Sequence, residues 1–227
     1  MTTISPEGNE SKFDKEIDKK IVGIILAAGE SKRFNGLKQC ANLRGKTLLA
    51  HVITQALNSN LDEIVLVLGH EKDKIIDSLG DLIKDKRIMT IENTNYFQGM
   101  STSLKTGLQA AHEQSDAVMF ILGDQPKVTT ELINELLTAY KQSNGQLCAP
   151  VIKAQKAHKA HEETRTGHPV IIGHKLYPEL MKITGDIGAR EIVRKNIEYA
   201  KLVELEDNSS QFQINTQDDL RKYIQEL

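Results

Sequence analysis

Two cations, Arg33 and Lys38, follow the small-residue run Ala27-Ala28-Gly29, and a carboxylate, Asp124, sits in the corner Gly123-Asp124-Gln125-Pro126. Small residues let a backbone come close to a ligand, and successive exposed N–H groups form a concavity that binds anions. Fixed cations beside such a concavity suit a polyphosphate. A carboxylate nearby suits Mg²⁺, which takes one or two carboxylates and fills its shell with water and substrate phosphate. The loop is neither a Walker motif, because no Gly-Lys-Ser/Thr closes it, nor a dinucleotide GxGxxG. Residue by residue, plainer roles compete: surface cations on a strand-to-helix loop, and a turn aspartate ahead of a proline.

Other segments carry weaker signals. In Asn95–Ser103, Gly99 permits close approach, while Ser101 and Ser103 offer hydroxyls at a helix N-terminus. That arrangement suits a phosphate or a base edge, or simple capping. His168, in Gly167-His168-Pro169, suits a substrate or a backbone partner. Asp186 and Arg190, in the glycine-flanked stretch 185–190, suit an anionic acceptor or a loop between helices. Asn215 suits a metal, a water or a cap, ahead of Thr216 as N-cap with Asp218 and Asp219 in the first turn. His158 and His161 lack a third ligand and read as solvated.

The elements that must position these residues follow from apolar periodicity. Buried strands are expected at 21–26, 63–68, 87–91, 116–122, 147–152 and 168–172, with a strand end at 214. Helices are expected at 46–58, 72–82, 101–112, 129–140 and 191–195, and from 216 onward. Alternation of this kind predicts an α/β fold, a mostly parallel sheet covered on both faces. Ligands then sit beyond the carboxyl ends of the strands, so the loops after Leu26 and Leu122 should face one crevice. The polar residues 1–20 read as a disordered tail, 21–227 as one domain, and 153–166 as a mobile polar insert.

Composition narrows the function. Twenty-nine basic against thirty-one acidic side chains give a net charge of −2. No broad positive field exists to hold nucleic acid or an anionic membrane, so any phosphate must be met by local cations. Cys40 and Cys148 show no metal-ligand spacing, which fits a reducing, cytoplasmic setting. No apolar run approaches the ~20 residues that span a bilayer, and the first residues lack the apolar core of a signal peptide.

Taken in order, Leu26-Ala-Ala-Gly-Glu-Ser-Lys-Arg33, Lys38, Asn95–Ser103, Gly123–Pro126, Gly167–Pro169, Gly185–Arg190 and Asn215–Leu220 resemble the molybdenum cofactor cytidylyltransferase family. That family lies within the MobA-like nucleotidyltransferases and has a Rossmann-like three-layer α/β/α fold. The resemblance covers about residues 21–225. The Leu-Ala-Ala-Gly loop specifies the superfamily, and the Gly-Asp-Gln-Pro, Gly-His-Pro and Gly-Asp-x-Gly-Ala-Arg set points to the molybdopterin branch. It implies transfer of CMP from CTP to the phosphate of molybdenum-loaded molybdopterin, with pyrophosphate released and the product passed to a recipient molybdoenzyme.

The same resemblance implies roles. Leu26, Ala27, Ala28, Gly29, Arg33, Lys38 and Gly123 would hold the nucleotide, with Ser101 and Ser103 toward the base. Lys38, Arg33 and Asp124 would be catalytic. Asp124 and Asn215 would hold Mg²⁺ or Mn²⁺, and His168, Asp186 and Arg190 would face the acceptor. The neighbouring expectations are a GTP-using or sugar- or alditol-phosphate enzyme, or a non-catalytic molybdopterin carrier. Three departures stand out: Arg33-Phe34-Asn35 for Arg-Met-Gly, Asn215 for the second aspartate of Asp-x-Asp, and a longer 153–166 insert. Asn tolerates positive φ, so the first departure keeps the turn.

Overall fold

The structure, a computed structural model, describes residues 19–152 and 165–227 apart from 112, 114 and 144. The expected tail up to residue 18, most of the 153–166 insert, and His158 and His161 lie outside the described residues. In chain order the strands are β1 (Ile21–Leu26), β2 (Asn42–Leu43), β3 (Lys46–Thr47), β4 (Glu63–Leu68) and β5 (Ile88–Glu92). They continue as β6 (Ala117–Leu122), β7 (Leu147–Ile152), β8 (Arg165–Thr166), β9 (Val170–Gly173) and β10 (Ala200–Glu204). The helices are α1 (Leu48–Leu57), α2 (Lys72–Leu79), α3 (Met100–Ala111) and α4 (Thr130–Lys141). Shorter α5 (Tyr177–Leu180) and α6 (Arg190–Lys195) precede α7 (Gln217–Glu226).

The main sheet runs β5-β4-β1-β6-β9-β7-β10, with β8 paired to β7. Neighbours are parallel from β5 through β6 and again for β7 with β10, whereas β9 runs antiparallel to both its neighbours. Successive side chains of a strand point to opposite faces, and the core divides accordingly. Ile21 and Ile25 of β1 and Met119 and Ile121 of β6 pack with α1, α2 and α4. Val22, Ile24, Val118 and Phe120 pack with α3, α5 and α6. This is the expected mostly parallel sheet with helices on both faces.

All six residues of β6 are buried. Each large apolar side chain there contributes about 1.5–3 kcal/mol on burial, so the strand excludes polar chemistry along its length and leaves it to the tips. On α3, a Cβ added at Gly107 would lie 2.4 Å from Ile24 Cγ2, and this glycine lets the helix press onto β1. A third cluster, Phe34, Leu43, Leu48, Ile214 and Tyr223, fastens α7 to the segment after β1.

Several elements differ from expectation for local reasons. The helix expected from 46 begins at Leu48, because Lys46–Thr47 pairs with Asn42–Leu43 in a short hairpin. The Thr47 side chain then caps it, accepting from the Ala50 N–H. The helix expected to 82 stops at Leu79, since Gly80 has φ +55 and opens a 3₁₀ turn. Residues 212–215 form no strand: the Ile214 N–H donates to Asp124 O at 3.0 Å instead. β8, β10, α5 and the hairpin were not anticipated. No described helix is long and apolar enough to cross a membrane.

Candidate active site

The cleft is built where the central strands end. Leu26 and Leu122 are partners in the parallel β1/β6 ladder, and the Gly123 N–H donates to Leu26 O at 3.0 Å. The loops that follow must therefore leave side by side. Lys38 opens a 3₁₀ turn, and its Nζ lies 2.6 Å from Asp124 Oδ2 and 3.4 Å from Asn215 Oδ1. Both members of the ion pair are mostly buried, with side chains 16% and 18% exposed. The surrounding cleft measures about 660 Å³, a size that takes small molecules.

Leu26, Ala27, Ala28 and Gly29 form one wall. Their course is fixed from β4: the Ala27 N–H donates to Val67 O at 2.9 Å and the His70 N–H to Ala28 O at 3.1 Å. Arg33 reaches the same cleft, exposed and without a hydrogen-bond or ion-pair partner among the described residues. Phe34 is buried beneath it, and Asn35 turns the chain with φ +57.

The oxygens around Lys38 fit a hard divalent cation. Asp124 Oδ1 is buried and has no hydrogen-bond partner among the described residues. Asn215 Oδ1 faces the same ammonium. Among the described residues no group of three or more His, Cys, Asp or Glu side chains could hold a metal. A carboxylate and an amide oxygen are the donor set of an ion that completes its shell with water and phosphate.

Asn215 is held from both sides. Its neighbour Ile214 bonds Asp124 O, as above, and its own N–H donates to Asp219 Oδ2 at 3.0 Å. Thr216 and Asp219 form a reciprocal capping box at the start of α7, the N-cap expected. Burial raises the Asp219 pKa, but the Thr216 hydroxyl and the N–H groups of Asn215 and Thr216 outweigh it and hold the carboxyl below its usual range.

The second half of the cleft is a lock between two motifs. The Ser101 N–H donates to Gly185 O at 3.1 Å, and the Met100 N–H to Asp186 Oδ1 at 3.3 Å. Gly99 has φ +110, and a Cβ there would lie 2.5 Å from the Gly185 backbone. The Met100 and Ser101 N–H groups at this helix N-terminus are thus already satisfied. Asp186 nonetheless lines the cleft.

Three of the expected site residues, Ser101, His168 and Arg190, lie outside the cleft wall. Ser101 is 1% exposed and does not line the cleft, because α3 packs down on the 185–186 loop. Ser103 does line it, but is largely buried and its hydroxyl accepts from Asn93 Nδ2 at 2.9 Å. His168 is 2% exposed and outside the cleft wall, its backbone N–H and C=O both bound by the Gln211 amide. Burial, and secondarily the charge of Arg190, push its pKa down to about 3, so the ring is neutral. Arg190 is exposed at the start of α6 and likewise does not line the cleft.

One contributor escaped the sequence reading. Gln39, beside Lys38, is 3% exposed and hydrogen-bonded under the small-residue loop. A polar residue next to a candidate lysine gives no sign that it will point inward.

Residues 23–202 match the model of the MobA-like NTP transferase domain. The chain is 26% identical over 206 residues to nicotine blue oxidoreductase of Paenarthrobacter nicotinovorans, covering 90% of this chain and 96% of that protein. It is 28% identical over 132 residues to a probable molybdenum cofactor guanylyltransferase of Thermococcus sibiricus, covering 57% of this chain and 61% of that protein. Among solved structures, the manganese complex of Rv0371C from Mycobacterium tuberculosis H37Rv superposes with a TM-score of 0.72 at 20% identity, over 92% of this chain and all of that one. The 4-diphosphocytidyl-2C-methyl-D-erythritol synthase of Anaerococcus prevotii gives 0.72 at 20% identity, over 93% and 99%. These neighbours share the fold.

Proposed function

We propose that this chain, which belongs to the MobA-like NTP transferase domain family, transfers CMP from CTP to the terminal phosphate of molybdenum-loaded molybdopterin. The observation that carries the reading is the meeting of Lys38, Asp124 and Asn215 at the strand tips, beside a loop of small residues. A phosphate oxygen of the acceptor forms a bond to the α-phosphorus of CTP, the bond from that phosphorus to the bridging oxygen breaks, and pyrophosphate leaves. Such a transfer needs alignment and charge neutralisation more than covalent help.

The residues divide that work. The backbone of Ala27–Gly29, with Arg33, binds the β- and γ-phosphates. Lys38, which its turn sends into the cleft, stabilises charge on the α-phosphoryl oxygens. Asp124 and Asn215 would hold a divalent cation, Mg²⁺ or Mn²⁺, which would supply neutralisation of phosphate charge. The manganese named with the Rv0371C neighbour supports a metal of this class. Asp186 stands on the acceptor side, toward which Phe97 also faces. A cytoplasmic setting and a recipient molybdoenzyme complete the reading.

Ala27-Ala28 favours CTP, because the guanylyl branch usually carries two glycines there. A second reading deserves a test because the relative named an oxidoreductase matches nearly end to end. Purified protein is incubated with each NTP, Mn²⁺ or Mg²⁺, and molybdenum-loaded molybdopterin, with pyrophosphate assayed and the dinucleotide weighed by mass spectrometry. Product with CTP alone supports the proposal, and product with GTP or with a sugar phosphate reassigns the substrate. Tight molybdopterin binding without pyrophosphate release makes the chain a carrier, and dye-dependent NADH or NADPH oxidation makes it a reductase.

A further inference from the structure

We infer that Gln39 is a positioning residue that turns the N–H groups of Ala28 and Glu30 toward the triphosphate, an inference that rests on the nucleotidyl-transfer reading. Its Nε2 donates to Ala27 O and to Gly29 O, each at 3.0 Å. Its Oε1 accepts from Ser31 Oγ at 3.0 Å. One buried amide therefore grips three residues of the loop, and Ser31 is held where its φ is +56.

The peptide unit supplies the consequence. In a trans peptide the C=O and the following N–H point in opposite directions. Two carbonyls drawn down onto Gln39 send the N–H groups of Ala28 and Glu30 the other way. Neither N–H has a hydrogen-bond partner among the described residues, and both residues line the cleft. Ala and Gly side chains cannot impose this orientation themselves, since they offer nothing to anchor. Gln39 supplies the anchor without adding charge. It is also the residue after Lys38, so one 3₁₀ turn sends the ammonium into the cleft and the amide beneath the loop.

The test uses inorganic tripolyphosphate and CTP as probes, titrated calorimetrically into the full chain and into Gln39→Met, which keeps the volume and removes both donors. Affinity for each probe should fall roughly 10- to 100-fold, the scale of one or two hydrogen bonds to a charged group. Mn²⁺ affinity, set across the cleft at Asp124, should stay within about threefold. Unchanged tripolyphosphate affinity overturns the inference, and so does an equal loss of Mn²⁺ and tripolyphosphate affinity, which marks general collapse of the cleft. Should Gln39→Met not fold, Ser31→Ala carries the test: weaker tripolyphosphate binding supports the clamp and unchanged binding rejects it. A wild-type protein that binds neither probe removes the nucleotidyl-transfer reading itself, whereas wild-type binding with an indifferent variant removes only the role of Gln39.

Discussion

Lys38 and Asp124, 86 residues apart in the chain, meet at 2.6 Å through one carboxylate oxygen while the other, Oδ1, is buried without a partner among the described residues. The ammonium holds one oxygen of the carboxylate and leaves the other unsatisfied. A buried, unpaired oxygen costs about 1–3 kcal/mol, more when charged, and an incoming cation would recover that cost. On the proposed function, Asp124 would be shared between this internal cation and a bound one, and Lys38 would then be freed toward phosphate.

Lys38→Ala should lower turnover by roughly 10²–10³, the scale for losing one preorganised donor. The same variant should bind Mn²⁺ more tightly, since Asp124 no longer has an internal competitor. Steady-state rates of pyrophosphate release and a Mn²⁺ titration by electron paramagnetic resonance check both. An unaltered turnover would contradict the assigned role.

Asn215→Asp adds a negative charge to the donor set facing Lys38 Nζ. Metal affinity should rise roughly three- to tenfold, because ligand charge is a main determinant of divalent-ion binding. Asn215→Leu should weaken it by a similar factor. Half-maximal metal concentrations for activity provide the readout, and one value shared by wild type and both variants would remove Asn215 from the metal site.

His168 links stability to pH. Its folded pKa is lowered from 6.5 to about 3 by burial and the nearby Arg190. Between those values the unfolded chain binds the extra proton, so stability is full above about 6.5 and falls as the medium is acidified, by about 1.4 kcal/mol per pH unit. Urea unfolding of wild type and His168→Asn across that window should show the steeper slope only in wild type. Parallel slopes would show that the ring keeps its proton in the folded state.

Gly99→Ala places a methyl group 2.5 Å from the Gly185 backbone at φ +110. A loss of about 2 kcal/mol or more is expected from backbone strain alone. Because the Ser101–Gly185 and Met100–Asp186 bonds lie at that contact, amide exchange should quicken at the start of α3. A variant as stable as wild type would mean the two loops do not press together in solution.

What the sequence disclosed and what it hid follow one rule. Strands such as Ile21–Leu26 and Ala117–Leu122 announce themselves because burial on both faces demands unbroken apolar residues. Their tips, and hence the approach of Lys38 to Asp124, follow from parallel order alone. The half-buried β10, with Lys201 and Glu204 exposed, carries no such pattern. Nor could one foresee that Ser101 and His168 turn inward: serine and histidine occur equally in walls and beneath them, and the partners that decided the matter, Gly185 and Gln211, are remote in sequence. Gln39 was hidden for the same reason.

The capping box of α7 has a consequence for synthesis. Asp219 fixes the backbone of Asn215, and Ile214 bonds Asp124. A ribosome could release the whole central sheet and still leave the proposed reaction centre half made, since a chain paused ahead of residue 214 owns the lysine and the aspartate but not their third companion. Competence for catalysis would then arrive abruptly, with the emergence of a single late helix, and not gradually as the sheet accumulates strands.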